Sequence, residues 1–283
     1  MKAGKRGNAE GMRARAMELV RSRELLWNLT RKEVKVRYKN SVLGFVWSMI
    51  YPLIMLAVYY VAFGVIFRMR SEGIEYFAFY LLAGILPWNF FSNSMALSVG
   101  SVVSNYLLVK KIYFPREVLP LSQVGAQAFH FLLQELVFVV FLVIFRVPLT
   151  PWILAFPLVM MMQILLIAGL SLFLSALNVY FRDVQYFTEL LLLAWFWMNP
   201  IVYPITFILG RFPGWAQKIY LLNPMAHVTM LYQYVVYNSR VNAPSAVYIS
   251  WKWILGVVVG SLVLIYLGYR YFTSQEHRFA EFI

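Results

Sequence analysis

The hydrophobic positions along this chain fall into long uninterrupted runs rather than the alternating or one-sided patterns of a water-soluble domain. Six runs predict membrane-crossing helices. The first, residues 43–67, holds no ionisable side chain over 25 positions, roughly 38 Å of helix. The second lies in the uncharged stretch 76–109, with the crossing expected over 76–98 and residues 100–109 lying along the membrane surface. The remaining four are expected over 119–145, 152–180, 187–203 and 248–269. Pro200 and Pro204 mark the end of the fifth, and Trp251 and Trp253 anchor the sixth at an interface.

Two further stretches are amphipathic or apolar without being full crossings. Over 17–39, at about 100° per residue, Arg21, Glu24, Asn28, Arg31, Lys32, Lys35 and Lys39 share one stripe. Leu19, Leu25, Leu26, Leu29 and Val36 gather opposite, with Arg23, Thr30, Glu33 and Arg37 as flaws in the pattern. Such a helix suits the inner membrane interface, as a lipid anchor, a partner contact, or both. Residues 205–247 are too aromatic for a solvated loop. Pro213 and Asn223 with Pro224 can each open a short helix, so the expectation is two short helices dipping back into the outer leaflet. The alternative is a flat amphipathic cap.

Composition agrees with a bilayer as solvent: 61% of the 283 residues are hydrophobic and 13% charged, against roughly 25% charged for soluble domains. The net charge of +13 is concentrated, with twelve of the 25 basic residues inside residues 1–41. Beside a membrane span, such a block marks a cytoplasmic face and anionic lipid rather than nucleic acid. With the N-terminus inside, 18 Lys and Arg fall on the inner side and seven on the outer, so both termini are expected in the cytoplasm. The basic block is too long for a signal peptide. The expected organisation is a basic cytoplasmic tail with its interface helix over 1–41 and a six-span domain over 42–283.

Candidate chemistry is sparse. The chain has no cysteine, and its only Gly-Lys pair is Gly4 and Lys5, so it offers no phosphate-binding loop. No catalytic triad or metal motif presents itself. His130 and Glu135 are the ionisable groups inside a predicted span, about 140° apart on one helix. A relay along that helix is therefore disfavoured, and Glu135 reads as a packing or hydrogen-bonding group before a translocation residue. Gly256 and Gly260 form a small-xxx-small packing pattern.

Five stretches carry a resemblance: EVKVRYKNSVLGFVW at 33–47, LPWNFFS at 86–92, KKIYFPREVLPLS at 110–122, NVYFRDV at 178–184 and NPIVY at 199–203. Taken in order on a six-span plan, they resemble the membrane subunits of ABC-type polysaccharide exporters, the permeases for O-antigen and wall teichoic acid. The resemblance implies an all-α integral membrane protein with six transmembrane helices, an N-terminal interface helix and two re-entrant outer gate helices. It implies a homodimer bound to two copies of a separate ATP-binding subunit. ATP and Mg would reside in that partner, and this chain would bind no cofactor. The cargo would be an undecaprenyl-diphosphate-linked polysaccharide, wall teichoic acid before O-antigen, moved to the outer leaflet of a bacterial plasma membrane.

Carried onto this sequence, the resemblance places Lys110, Lys111, Tyr113, Phe114, Arg116 and Glu117 at the contact with the ATP-binding subunit. Arg37, Lys39 and Arg182 are expected near lipid head groups, where cations can hold a diphosphate. Arg182 and Asp183 could instead form a structural ion pair. Trp88, Asn89, Phe90, Ser92 and Asn199, with Asn93, are expected along the polymer's passage. The competing reading is an intramembrane transferase acting on a lipid-linked sugar, with Asp183 and Glu189 as its acids. A secondary transporter or channel would show repeated halves or intramembrane charges, and neither pattern is found.

Overall fold

The structure is a computed structural model that describes residues 22–39, 46–66, 74, 76–112, 114–149, 151–237 and 247–282. Residues 1–21, which carry much of the basic tail, lie outside the described residues, as does Tyr113. Among the described residues the chain is helical, with turns and short connections and no strand. Its helices are α1 (Arg23–Tyr38), α2 (Val46–Tyr59, running on as a wider π turn over Tyr60–Ile66), α3 (Phe77–Ser104), α4 (Tyr106–Lys111) and α5 (Val118–Ile144). A 3-10 turn (Pro151–Ala155) leads into α6 (Phe156–Tyr180), followed by α7 (Asp183–Trp197), α8 (Ile205–Arg211), α9 (Gly214–Leu221) and α10 (Pro224–Val235). The last are α11 (Trp251–Gln275), a 3-10 turn (Glu276–Arg278) and α12 (Phe279–Phe282).

Among the described residues, three segments are long and apolar enough to cross a membrane: Val118–Ile144, Pro151–Tyr180 and Trp251–Arg278. They are the third, fourth and sixth expected spans. The others are helices of a different character. α2 contributes a shorter apolar stretch, Ile50–Ala62. α3 is long but carries Asn89, Asn93 and a run of serines, and nineteen of its 28 residues are buried inside the bundle. Neighbouring helices shield it, so it need not be apolar all round.

α3 also departs from its expected bounds. Gly100 does not end it; the helix runs on to Ser104, with Ser101 donating to the Ser98 carbonyl at 2.7 Å and Ser104 to the Ser101 carbonyl at 3.2 Å. Asn105 then closes the end through its side chain, 2.8 Å from the Ser101 carbonyl, and α4 begins. α7 starts at Asp183, whose charge suits a helix N-terminus, and stops at Trp197, six residues short of the expected end. Pro200 explains the stop: it supplies no N–H and biases Asn199 away from helical geometry. α5 ends in a Schellman motif, with Arg146 in the left-handed conformation (φ 55°) and Val147 N–H donating to the Leu142 carbonyl at 2.9 Å.

Between α7 and α11 the described residues form three short helices, where two were expected. Each begins beside a proline, Pro204, Pro213 and Pro224. Only α10 is interior, with ten of its twelve residues buried, whereas α9 buries none. α10 packs against α3, whereas α9 lies on the outside of the bundle. A Cβ added at Gly84 of α3 would meet Thr229 and Ile201 at 3.3 Å, so glycine is what lets α10 approach there.

α6 and α11 approach each other closely at two glycines. A Cβ at Gly169 would lie 2.6 Å from the Ile265 backbone nitrogen, and one at Gly268 would overlap the Gly169 carbonyl. Backbones touch here, as small residues permit between membrane helices. Gly256 and Gly260, the pair singled out in the sequence, have nothing within 4 Å. The packing pattern was present, but the small residues that meet are others.

Candidate functional site

α3 organises two surfaces, one along its length and one just past its end. Over 78–102 of α3, Asn89, Ser92, Asn93, Ala96, Leu97 and Gly100 are the residues not fully buried. Their spacing of three and four places them on one stripe of the helix. α2 flanks that stripe, with the Asn89 amide donating to the Tyr51 hydroxyl at 3.3 Å. On the other side lies α7, whose Gln185 would meet a Cβ at Gly100 at 2.9 Å. The stripe offers amides and a hydroxyl but no charge, so it can hydrogen-bond to neutral polar groups.

The expected passage residues are thus divided by the helix itself. Asn89 and Ser92 lie on the open stripe. Trp88 and Phe90 point into the bundle, Trp88 against Phe91 and Phe196 at 5.5 and 5.9 Å, and Phe90 stacked on Phe131 at 5.0 Å. Asn199 is fully buried as well. Its amide donates to the Trp195 carbonyl at 2.6 Å, and its oxygen accepts from Asn223 at 3.2 Å.

That pair belongs to a cluster the sequence did not disclose. Asn223 caps α10 by accepting from Met225 N–H at 3.0 Å, accepts from the Trp195 indole at 2.9 Å, and donates to the Met198 carbonyl at 2.9 Å. The Pro200 carbonyl beside it accepts from Gln233 at 3.0 Å and from Tyr80 at 3.3 Å. His227, one turn along α10, donates from Nε2 to the Leu221 carbonyl at 2.7 Å and stacks on Trp253 at 5.4 Å. The only legible signal was the Asn-Pro helix start at 223–224.

Past the end of α3, Lys110 and Lys111 stand exposed in the last turn of α4. Phe114 packs partly into an apolar cluster with Val109, Leu119 and Phe279. Arg116 does not face solvent freely: its guanidinium donates to the Glu276 carbonyl. Glu117 is buried beneath α5's first turn, 2% exposed. Within the expected contact segment, the exposed charges are therefore the two lysines.

The residues expected near lipid head groups, Arg37, Lys39 and Arg182, are all exposed. No ion pair joins Arg182 to Asp183. Arg37 is engaged, donating to Gln127 of α5 at 2.8 Å. Two of the supposed flaws in the α1 stripe turn out to make its contact with α5. A Cβ at Gly125 would lie 3.0 Å from the Thr30 hydroxyl, and Arg37 follows two turns later. Tyr38 completes the line, its hydroxyl 2.6 Å from His130 Nδ1 with the rings edge to face at 5.2 Å. His130 is thus held by α1, while Glu135, on another face, is buried at 3% exposure.

Known proteins share long stretches of sequence with this chain. Residues 24–237 match the family model described as ABC-2 type transporter. The chain is 33% identical over 261 residues to an O-antigen export system permease protein RfbA of Klebsiella pneumoniae, covering 92% of this chain and 95% of that protein. It is 32% identical over 267 residues to an O-antigen export system permease protein RfbA of Myxococcus xanthus, covering 94% and 98%. A polysialic acid transport protein KpsM of Escherichia coli is 25% identical over 210 residues, covering 71% of this chain and 76% of that one.

Proposed function

The chain belongs to the ABC-2 type transporter family, as a permease of polysaccharide export, and from that premise we propose how it works. Two copies of the chain assemble with two copies of a separate ATP-binding subunit in a bacterial inner membrane, both termini in the cytoplasm. The partner binds and hydrolyses ATP with Mg, and this chain carries a lipid-linked polysaccharide from the inner to the outer leaflet. The observation that carries this reading is the likeness to O-antigen permeases over 92% and 94% of the chain. The same names favour an O-antigen-type polysaccharide over wall teichoic acid as cargo.

The site supports the reading in physical terms. Sugar units present neutral hydroxyls, and the stripe of Asn89, Ser92 and Asn93 offers neutral donors and acceptors on the open side of α3. In the dimer that stripe faces the passage, with α2, α3 and α7 contributing to a six-span plan. α10 is a re-entrant gate helix, tied to α3 and to the end of α7 by the Asn223 cluster. Lys39 and Arg182 meet the anionic diphosphate of the undecaprenyl carrier at the inner face, and Lys110 and Lys111 meet the ATP-binding subunit.

The test is export in proteoliposomes, with this chain alone and with the ATP-binding subunit encoded beside it. Lipid-linked O-antigen polysaccharide and lipid-linked teichoic acid are offered in separate vesicles. ATP-dependent appearance of the polysaccharide at the far leaflet, in the pair alone, is expected. Transfer chemistry on a lipid-linked sugar by the chain alone would replace this reading with the transferase one and direct mutagenesis to Asp183 and Glu189.

A further inference from the structure

The last described residues return to the bundle through two phenylalanines. Phe279 of α12 is fully buried, edge to face with Phe272 of α11 at 5.2 Å. Around it stand Val102 of α3, Val109 of α4, Leu119 of α5, and Leu172, Ala176 and Val179 of α6. Phe282 packs edge to face on Tyr180, the last residue of α6, at 4.8 Å. The Tyr180 hydroxyl donates to the Gln275 side chain at 2.9 Å. Arg116 reaches across from the segment before α5 to the Glu276 carbonyl, at the C-terminal end of α11. A cation is favoured there because the last carbonyls of a helix lack partners and carry its negative pole.

We propose that Glu276–Phe282 is a strap that fastens the α4–Arg116 segment to the α6–α11 pair, with Arg116 and Phe279 as positioning residues for coupling. The proposal rests on the exporter reading above. A docked ATP-binding subunit pushes on Lys110 and Lys111, at the rim of a segment that contributes little bulk of its own. For that push to move a transmembrane helix, the segment must be joined to one. The chain offers the join through Phe279, which fills the space between α4 and α6, and through Arg116, which caps α11. α6 and α11 are themselves in backbone contact at Gly169 and Gly268, so displacement of the segment carries both. Without the strap, α4 could shift over the ends of α6 and α11 and the push would be lost.

The experiment reads ATP hydrolysed per polymer exported, and retention of the ATP-binding subunit, for the reconstituted complex and the variants Phe279→Ala, Phe279→Leu, Arg116→Met and Arg116→Lys. Phe279→Ala and Arg116→Met are expected to keep the partner bound and hydrolysing while ATP per polymer rises about fivefold or more. Phe279→Leu and Arg116→Lys restore most of the coupling, because each keeps the bulk or the charge. If Phe279→Ala fails to assemble, Arg116→Met decides, since it removes one hydrogen-bonding group at a half-buried site. An unchanged ratio in Arg116→Met overturns the strap alone. Loss of partner binding in that variant also overturns it, making Arg116 a docking contact. Absence of ATP-dependent export in the wild-type complex overturns the exporter reading and the strap with it.

Discussion

The two ends of the bundle are closed by different forces. At the end of α7, buried amides and an indole hold the chain: Asn223 joins Trp195, Met198, Asn199 and Met225 through bonds of 2.9 to 3.2 Å. At the end of α6, aromatic rings do most of the holding, with Phe272, Phe279, Phe282 and Tyr180 in edge-to-face contacts. Hydrogen bonds are directional and leave unpaired groups when broken, so they define one arrangement. Ring contacts tolerate small displacements, each changing the energy gradually. The first end thus suits a fixed frame for α10, and the second suits a joint that must move while staying attached.

Three substitutions and one control break or sharpen that contrast. Asn223→Ala has the largest expected effect, because it strands the Trp195 indole, the Met225 N–H and the Met198 carbonyl in buried surroundings. A loss of about 3 kcal/mol is expected, read as a lowered thermal unfolding midpoint in detergent. Gly169→Ala comes next, at about 2 kcal/mol, since its methyl would meet the Ile265 backbone and neither helix can yield locally. The control is Gly260→Ala, which meets nothing within 4 Å and is expected to be neutral or to gain about 0.5–1 kcal/mol from better helix propensity. Tyr38→Phe is the mildest, removing a single hydrogen bond to His130 at about 1 kcal/mol and loosening α1 from α5 without affecting either end.

Most of the helices were legible because a bilayer demands long apolar runs. The third and fourth spans were read to within a few residues, apart from the 3-10 turn that opens the fourth, while the sixth runs six residues further as helix. What escaped were choices that hydropathy cannot register. α3 continues past Gly100, since one glycine inside a packed helix need not end it, and α7 stops early because Pro200 breaks it. A glycine pattern shows that a helix has a flat face, yet it does not say which neighbour meets it, so Gly169 and Gly268 were missed. On α1, Thr30 and Arg37 look like errors in a one-sided stripe only until α5 is placed beside them. The site followed the same rule. Exposure of Lys110 and Lys111 could be guessed from charge, but the burial of Asn199, Trp88, Phe90 and Glu117 depends on contacts with residues far along the chain.

The central claim is that the α3–α4 region serves two separable tasks, touching cargo along the open stripe of α3 and taking up the partner's push at Lys110 and Lys111 of α4 past its end. The most direct measurement compares two variants of the reconstituted complex for export and for binding of the ATP-binding subunit. Asn89→Leu with Asn93→Leu should retain the partner and its ATP hydrolysis while export falls. Lys110→Glu with Lys111→Glu should release the partner while the purified chain keeps its unfolding midpoint. Loss of partner binding in the asparagine variant, or full export in either one, would contradict the account.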